Sequence, residues 1–193
     1  MYLPTKEHIR RALLELLAEL PMDRITVRIV SQRAGISRQA VYNHYHCLMD
    51  VVEDACRNEL ETLMAACNTY LNWAEGFRTF LEYFRDRREI YRHLYQCSYR
   101  TDLFGMIRQY GGELIWQGIN QCGEDLEIDV PEKDRRFMLR AYLSLFLGGL
   151  DDFFSGGLRE DPSYLAGRCE ALLHHSIRRT LRNLAELGPY RPG

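Results

Sequence analysis

The sequence predicts an all-α protein: an N-terminal three-helix unit of helix-turn-helix type, then a larger helical domain. Three observations point there. Apolar residues recur at helical spacing along nearly the whole chain, and no stretch alternates as a half-buried strand does. Two short capped helices flank a glycine turn within the first 50 residues. At 193 residues, with 46% hydrophobic and 27% charged residues, the chain is long enough and apolar enough for a packed core.

The elements follow in order. Thr5 is placed to cap a helix running to Leu20, whose apolar positions Ile9, Ala12, Leu13, Leu16, Leu17 and Leu20 form one stripe. Pro21 ends it. In Ile25-Thr26-Val27-Arg28-Ile29-Val30, Thr26 is the N-cap, and Ile25 and Val30 form a hydrophobic staple. Ser37 repeats this grammar, with Ile36 and Val41 as the staple. Gly35 between them supplies the left-handed conformation that a sharp turn needs. A helix is expected from Leu48 to about Leu71, followed by apolar stripes at Trp73–Phe84, Ile90–Tyr95 and Leu103–Cys122. An acidic loop is read over Gly123–Pro131. Two long helices close the chain, about Glu132–Phe154 and about Ser163–Leu187, antiparallel neighbours across a short break. The division falls near residue 50, giving domains 1–50 and 51–193.

Charge narrows function only mildly. Lysine plus arginine number 25 and aspartate plus glutamate 27, a net charge of −2, which excludes a bulk polycation but not a local basic face. Residues 1–50 carry seven basic and five acidic side chains; the remainder carry 18 and 22. The six cysteines, at 47, 56, 67, 97, 122 and 169, include no CxxC and no zinc spacing, so reduced thiols are expected. No apolar run approaches the ~20 residues of a membrane-spanning helix. The first ten residues lack a signal peptide's apolar region, making the cytoplasm the expected location.

On a helix from Arg38 to His44, Val41 and Tyr45 project inward, and Gln39 and Asn43 project outward between Ala40 and Tyr42. Gln and Asn can pair adenine edges, Arg can read guanine, and Ala can pack on a thymine methyl. Thr26, Tyr42 and the helix N-termini are placed for phosphate contacts, and Arg28, Ser37 and His44 complete the candidate DNA-binding set. Polar residues alone would describe any solvated helix; the capped helix and glycine turn before them favour a DNA-reading one.

The segment Ile25-Thr26-Val27…Ala34-Gly35-Ile36-Ser37-Arg38-Gln39-Ala40-Val41-Tyr42-Asn43-His44-Tyr45 resembles the DNA-binding domain of TetR-family transcriptional regulators. The resemblance spans about residues 5–52, and the chain length and two long final helices agree with it. It implies a homodimer near 45 kDa, twice 22.7 kDa, that places two recognition helices in a palindromic operator. It also implies a C-terminal domain that binds a small-molecule effector and dimerises through its last two helices, most often in a repressor. One departure stands out. Cys47-Leu48 occupy the positions where the family usually has a capping residue and a phosphate-binding lysine. His44 or His46 is placed to substitute, which would make DNA binding pH-dependent. The run Ala141-Tyr142…Gly148-Gly149…Phe153…Gly157…Asp161-Pro162 is similar to the DhaS-like branch, some of whose members are coactivators; that is the alternative function.

In the larger domain, Trp73, Phe77, Tyr91, His93, Tyr95 and Trp116 are candidate pocket residues, though helical spacing of this kind taken residue by residue favours a core. Gly111-Gly112 and Gly148-Gly149 interrupt helical patterns, which calls for close helix approach or room for a ligand. The candidate dimer face comprises Tyr142, Leu145, Gly149, Phe153, Leu173, Ile177 and Leu181. No nucleotide loop, zinc-protease or hydrolase motif occurs, and neither His174-His175 nor Asp151-Asp152 forms a working pair. The acidic loop lacks EF-hand order. No enzyme activity, cofactor or metal is expected.

Overall fold

The computed structural model describes residues 5–66 and 73–187. Among them all regular structure is helical: α1 (Thr5–Glu19), α2 (Val27–Ala34), α3 (Arg38–Tyr42), α4 (Leu48–Ala66), α5 (Trp73–Asp86), α6 (Arg88–Tyr95), α7 (Arg100–Leu126), α8 (Glu132–Ser155), α9 (Pro162–Leu173) and α10 (Ser176–Leu187). A single 3₁₀ turn, Met22–Arg24, joins α1 to α2. The expected extension of α4 to Leu71, and Cys67, lie outside the described residues.

α1 buries the stripe that its sequence lays out, Ile9, Ala12, Leu13, Leu16 and Leu17. It packs against α2, α4 and α6, so the N-terminal unit is built onto the larger domain around one helix. The main core is continuous, from Ile9 and Leu13 through Val51 and Leu60 to Phe84, Tyr91 and Phe154. Phe154 is its aromatic hub, with its ring centroid 5.1 Å from Phe84, 5.5 Å from Phe104 and 5.6 Å from Tyr95. A second cluster, Ile119, Cys122, Val130, Met138 and Leu181, joins α7, α8 and α10.

Three expectations are corrected. The acidic loop begins at Glu127 rather than Gly123, because α7 continues to Leu126. Glu127 itself takes the left-handed conformation (φ 53°), and Ile128 N–H closes on the Gly123 carbonyl at 2.9 Å. The final helix is two helices, broken where His175 adopts φ 55°. The halves then reach different main supports, α9 on α5 and α10 on α7, rather than both lying on α8, although Leu181 of α10 clusters with Met138 of α8.

The interior glycines divide by location. A Cβ on Gly111 would lie 2.9 Å from Phe146 of α8, so close approach of α7 and α8 accounts for it. Gly148 and Gly149 face open space within the protomer.

Candidate nucleic-acid interface

The helix-turn-helix is assembled by short-range hydrogen bonds. The Thr26 hydroxyl accepts from Ile29 N–H at 3.3 Å, and the Ser37 hydroxyl accepts from Ala40 N–H at 3.1 Å. Between them Gly35 sits at φ 68°. Gly35 N–H reaches the Gln32 carbonyl (3.2 Å) and Ile36 N–H the Ser31 carbonyl (3.0 Å), closing α2 with a Schellman motif. Arg33 grips Glu19 with two hydrogen bonds of 3.0 and 2.7 Å, fixing α2 to the end of α1. The hydrogen bond from Arg33 holds the Glu19 carboxyl below its ordinary pKa.

α3 is shorter than the sequence suggests. It ends at Tyr42, Asn43 is its C-cap, and Tyr45 lies beyond the helix. The inward and outward sides are nevertheless as read: Val41 and Tyr45 are buried. Thr26, Arg28, Ser37, Arg38, Gln39, Tyr42, Asn43 and His44 are exposed, and Ala40 is half-buried. Gln39 Nε2 donates to Asn43 Oδ1 at 3.2 Å, which aligns the two amides across one turn. That leaves the Gln39 carbonyl and the Asn43 amino group directed outward as acceptor and donor.

Two supports of this face were not anticipated from sequence. Tyr45 OH donates to Asp54 Oδ2 at 2.5 Å, and Arg10 Nη1 donates to the same oxygen at 3.1 Å. This bridge ties the segment after α3 to α4 and α1. Burial works to raise the Asp54 carboxyl, but the hydrogen bonds from Tyr45 and Arg10 outweigh it and hold the pKa below its usual value. The second support repairs the departure at Cys47. Asp50, at the third position of α4, accepts from His46 N–H (2.8 Å), Cys47 N–H (3.3 Å) and Cys47 Sγ (3.2 Å). The Cys47 hydrogen bond first, then that of His46, lowers the Asp50 pKa. The signal was the carboxylate three residues after the cap position, the return half of a capping box. Leu48, in the lysine position, instead packs half-buried on the core.

The six pocket candidates do not converge. Tyr91 is buried among Phe84, Tyr83 and Phe154, and burial first of all pushes its phenol well above the ordinary pKa. Phe77 packs on Phe146, and Trp116 lies beneath the Arg136 guanidinium. Tyr95 OH donates to Asp151 at 3.1 Å, and Arg100 donates to the same oxygen at 2.7 Å, so Asp151 ties α8 to α6 and α7. His93 is a joint between domains rather than a pocket wall. Arg92 Nη2 can only donate to its Nε2 (2.9 Å), so Nδ1 carries the proton and donates to the Leu17 carbonyl at 2.7 Å. Two clefts flank the start of α7, one of about 370 Å³ and one of about 480 Å³, and none of the six candidates lines either. Trp73 is half-buried at the start of α5.

The dimer candidates also separate. Phe153 and Leu181 are 2% and 1% exposed, inside the protomer's own cores, which leaves them no surface for a partner. Tyr142 is half-buried, and its hydroxyl lies 3.2 Å from that of Thr180 on α10. Leu173 and Ile177 are half-buried, whereas Leu145 and Gly149 are exposed.

Residues 71–175, more than half of the chain, match a TetR family model described as "Transcriptional regulator C-terminal region". The chain belongs to the TetR family of transcriptional regulators. Solved structures repeat the fold of this regulator at low sequence identity. The dihydroxyacetone kinase operon activator DhaS superposes with a TM-score of 0.74 at 17% identity, over 91% of this chain and 97% of that one. A tetR-family transcriptional regulator from Streptomyces coelicolor gives 0.60 at 15% identity, over 95% and 92%. NalD of Pseudomonas aeruginosa, described as the secondary repressor of the MexAB-OprM multidrug efflux pump, gives 0.55 at 21%, over 91% and 96%. No curated protein sequence matches the chain. Among the described residues no helix is long and apolar enough to cross a membrane.

Proposed function

We propose that this TetR-family regulator is a homodimeric, sequence-specific DNA-binding repressor in the cytoplasm, released from a palindromic operator by a small-molecule effector. Residues 1–50 read DNA; residues 51–193 bind effector and dimerise. The observation that carries this reading is the exposed Gln39–Asn43 pair on a capped helix, flanked by Arg38 and Tyr42. In a major groove, the two amides have the donor and acceptor pattern for adenine, and Thr26 and Arg28 lie on the adjoining helix for phosphates.

Dimerisation is supported by α8. Phe137 and Leu145 are 59% and 56% exposed, and they share a stripe with the exposed residues Ala141 and Gly148. A helical glycine costs about 1 kcal/mol against alanine. No atom of the protomer accounts for Gly148 or Gly149, whereas a partner helix laid against this face does. The dimer face is therefore Leu145 and Gly149 with Phe137, Ala141 and Gly148, the half-buried Tyr142, Leu173 and Ile177 lying behind or beside it. Effector binding then favours a dimer geometry in which the recognition helices no longer match the operator spacing.

Selection of random duplex DNA by the purified protein, at low and at physiological salt, tests this. A palindrome with half-sites about one helical turn (~34 Å) apart is expected. Replacing Gln39 or Asn43 by Ala should then relax selectivity at one position per half-site, at about 1–3 kcal/mol. Binding that is weak, salt-labile and without motif overturns the reading. Leu48, which stands where the family usually has a phosphate-binding lysine, would then favour the second function: a coactivator that works through protein contacts.

A further inference from the structure

His93 is buried, and it joins two helices across 76 residues of chain. Its Nδ1–H donates at 2.7 Å to the carbonyl of Leu17, in the last turn of α1. The sequence itself leaves that carbonyl open. The residue four ahead, whose N–H would close the helical bond, is Pro21, and proline has no N–H. The Leu20 N–H is taken by the Leu16 carbonyl at 2.8 Å. Leu17 is fully buried, so water does not replace the missing donor. α1 therefore ends on a buried acceptor that takes its donor from α6.

The ring is aimed as well as placed. Arg92 donates to its Nε2 at 2.9 Å, and Glu89 holds Arg92 with hydrogen bonds of 3.0 and 2.7 Å. One turn of α6 thus fixes both the tautomer and the direction of the Nδ1–H. A side chain that merely filled space between α1 and α6 would need no such chain of donors and acceptors.

From Leu17 the path to the DNA face is short. Glu19, two residues on, accepts both hydrogen bonds of Arg33. Arg33 lies in the last turn of α2, two residues before the Gly35 turn that leads into α3. The end of α1 is therefore held from the larger domain on one side and itself holds the helix-turn-helix on the other.

We propose that His93 is a positioning residue for DNA binding: its hydrogen bond to Leu17 sets where the helix-turn-helix sits on the larger domain, and carries movement of α6 to it. This deepens the proposed function, and its regulatory part rests on that reading. Apolar packing between α1 and α6 tolerates small sliding, but a hydrogen bond of 2.7 Å is gone once its atoms part by about 1 Å. A shift of α6 on that scale, driven by an effector in the larger domain, frees the end of α1 and with it the anchor of α2.

Hydrogen exchange on the full-length protein without DNA tests the joint, and affinity for the duplex that the wild type selects tests its consequence. His93→Leu fills the space with no donor; His93→Asn keeps an N–H near the place of Nδ1. In His93→Leu the amides of residues 27–42 should exchange about fivefold faster or more, with α7 and α8 unchanged, and duplex affinity should fall by about the same factor. His93→Asn should restore both. Arg92→Met, at a partly exposed position, frees the ring without emptying the joint and should give the same pattern at about twofold, even where His93→Leu does not fold. Faster exchange confined to the end of α1 overturns the proposal, because His93 would then only complete a helix. Equally faster exchange throughout the chain overturns it too, as does an Asn variant no better than Leu. If the wild type selects no duplex, the operator reading falls and exchange alone decides the joint. If it selects one and every variant binds it equally, the joint falls and the operator reading stands.

Discussion

The hydrogen bonds that start and stop α2 and α3 all close within a few residues, from Thr26 to Ile29, Ser31 to Ile36 and Ser37 to Ala40. The last two helices are held differently: α9 rests on α5 and α10 on α7, elements far back along the chain. Local caps set where α2 and α3 begin and end, while the buried Val30 and Val41 hold these short helices on the core; the outward side chains are then free to be polar and to read a ligand. A segment built from distant contacts takes its geometry from whatever it packs against, and its break at His175 follows from that.

The comparison can be broken most severely at the core. Phe154→Ala removes the ring shared by Phe84, Phe104 and Tyr95, and should cost about 3–5 kcal/mol in chemical denaturation. A loss below about 1 kcal/mol would mean that local structure carries the larger domain too. Leu145→Glu should leave helicity intact but weaken the proposed dimer by about 2 kcal/mol or more, read by sedimentation as a shift toward 22.7 kDa. A dimer of unchanged strength places the interface elsewhere.

Local substitutions should cost less. Gly35→Ala meets no atom within 4 Å, so its penalty is only the left-handed backbone, about 1 kcal/mol. Ser37→Ala removes one cap and should also cost about 1 kcal/mol. Both should lower DNA affinity before they alter the melting of the larger domain; a loss shared equally by the two regions would show that they unfold as one.

The smallest effect sharpens the join between the regions. Because the Asp54 pKa is lowered in the folded protein, its stabilising contribution is complete above the unfolded carboxylate value of about 4. It is lost as pH falls through the lower native value. Asp54→Asn should therefore reduce stability at neutral pH and flatten the acid side of the stability profile measured by urea denaturation. An unchanged acid limb would assign that limb to other carboxylates.

The sequence by itself determined the helical class, the stripe of α1, the caps at Thr26 and Ser37, the turn at Gly35 and the outward set Arg38, Gln39, Tyr42 and Asn43. Each of these follows from side-chain spacing or from a hydrogen bond between near neighbours, which the chain encodes in a few consecutive residues. Tertiary structure alone decided the rest. His175 and Glu127 accept left-handed backbone without being glycine, because packing of the flanking helices outweighs a local cost of about 1–2 kcal/mol. Phe153 and Leu181 turn inward while Leu145 turns outward, although all three belong to apolar stripes, because a stripe does not state which neighbour will cover it. One cleft at the start of α7 joins Asp50 and Glu53 of α4 to Tyr99 and Asp102, residues far apart in the chain, a juxtaposition that arises only when α4 and α7 meet.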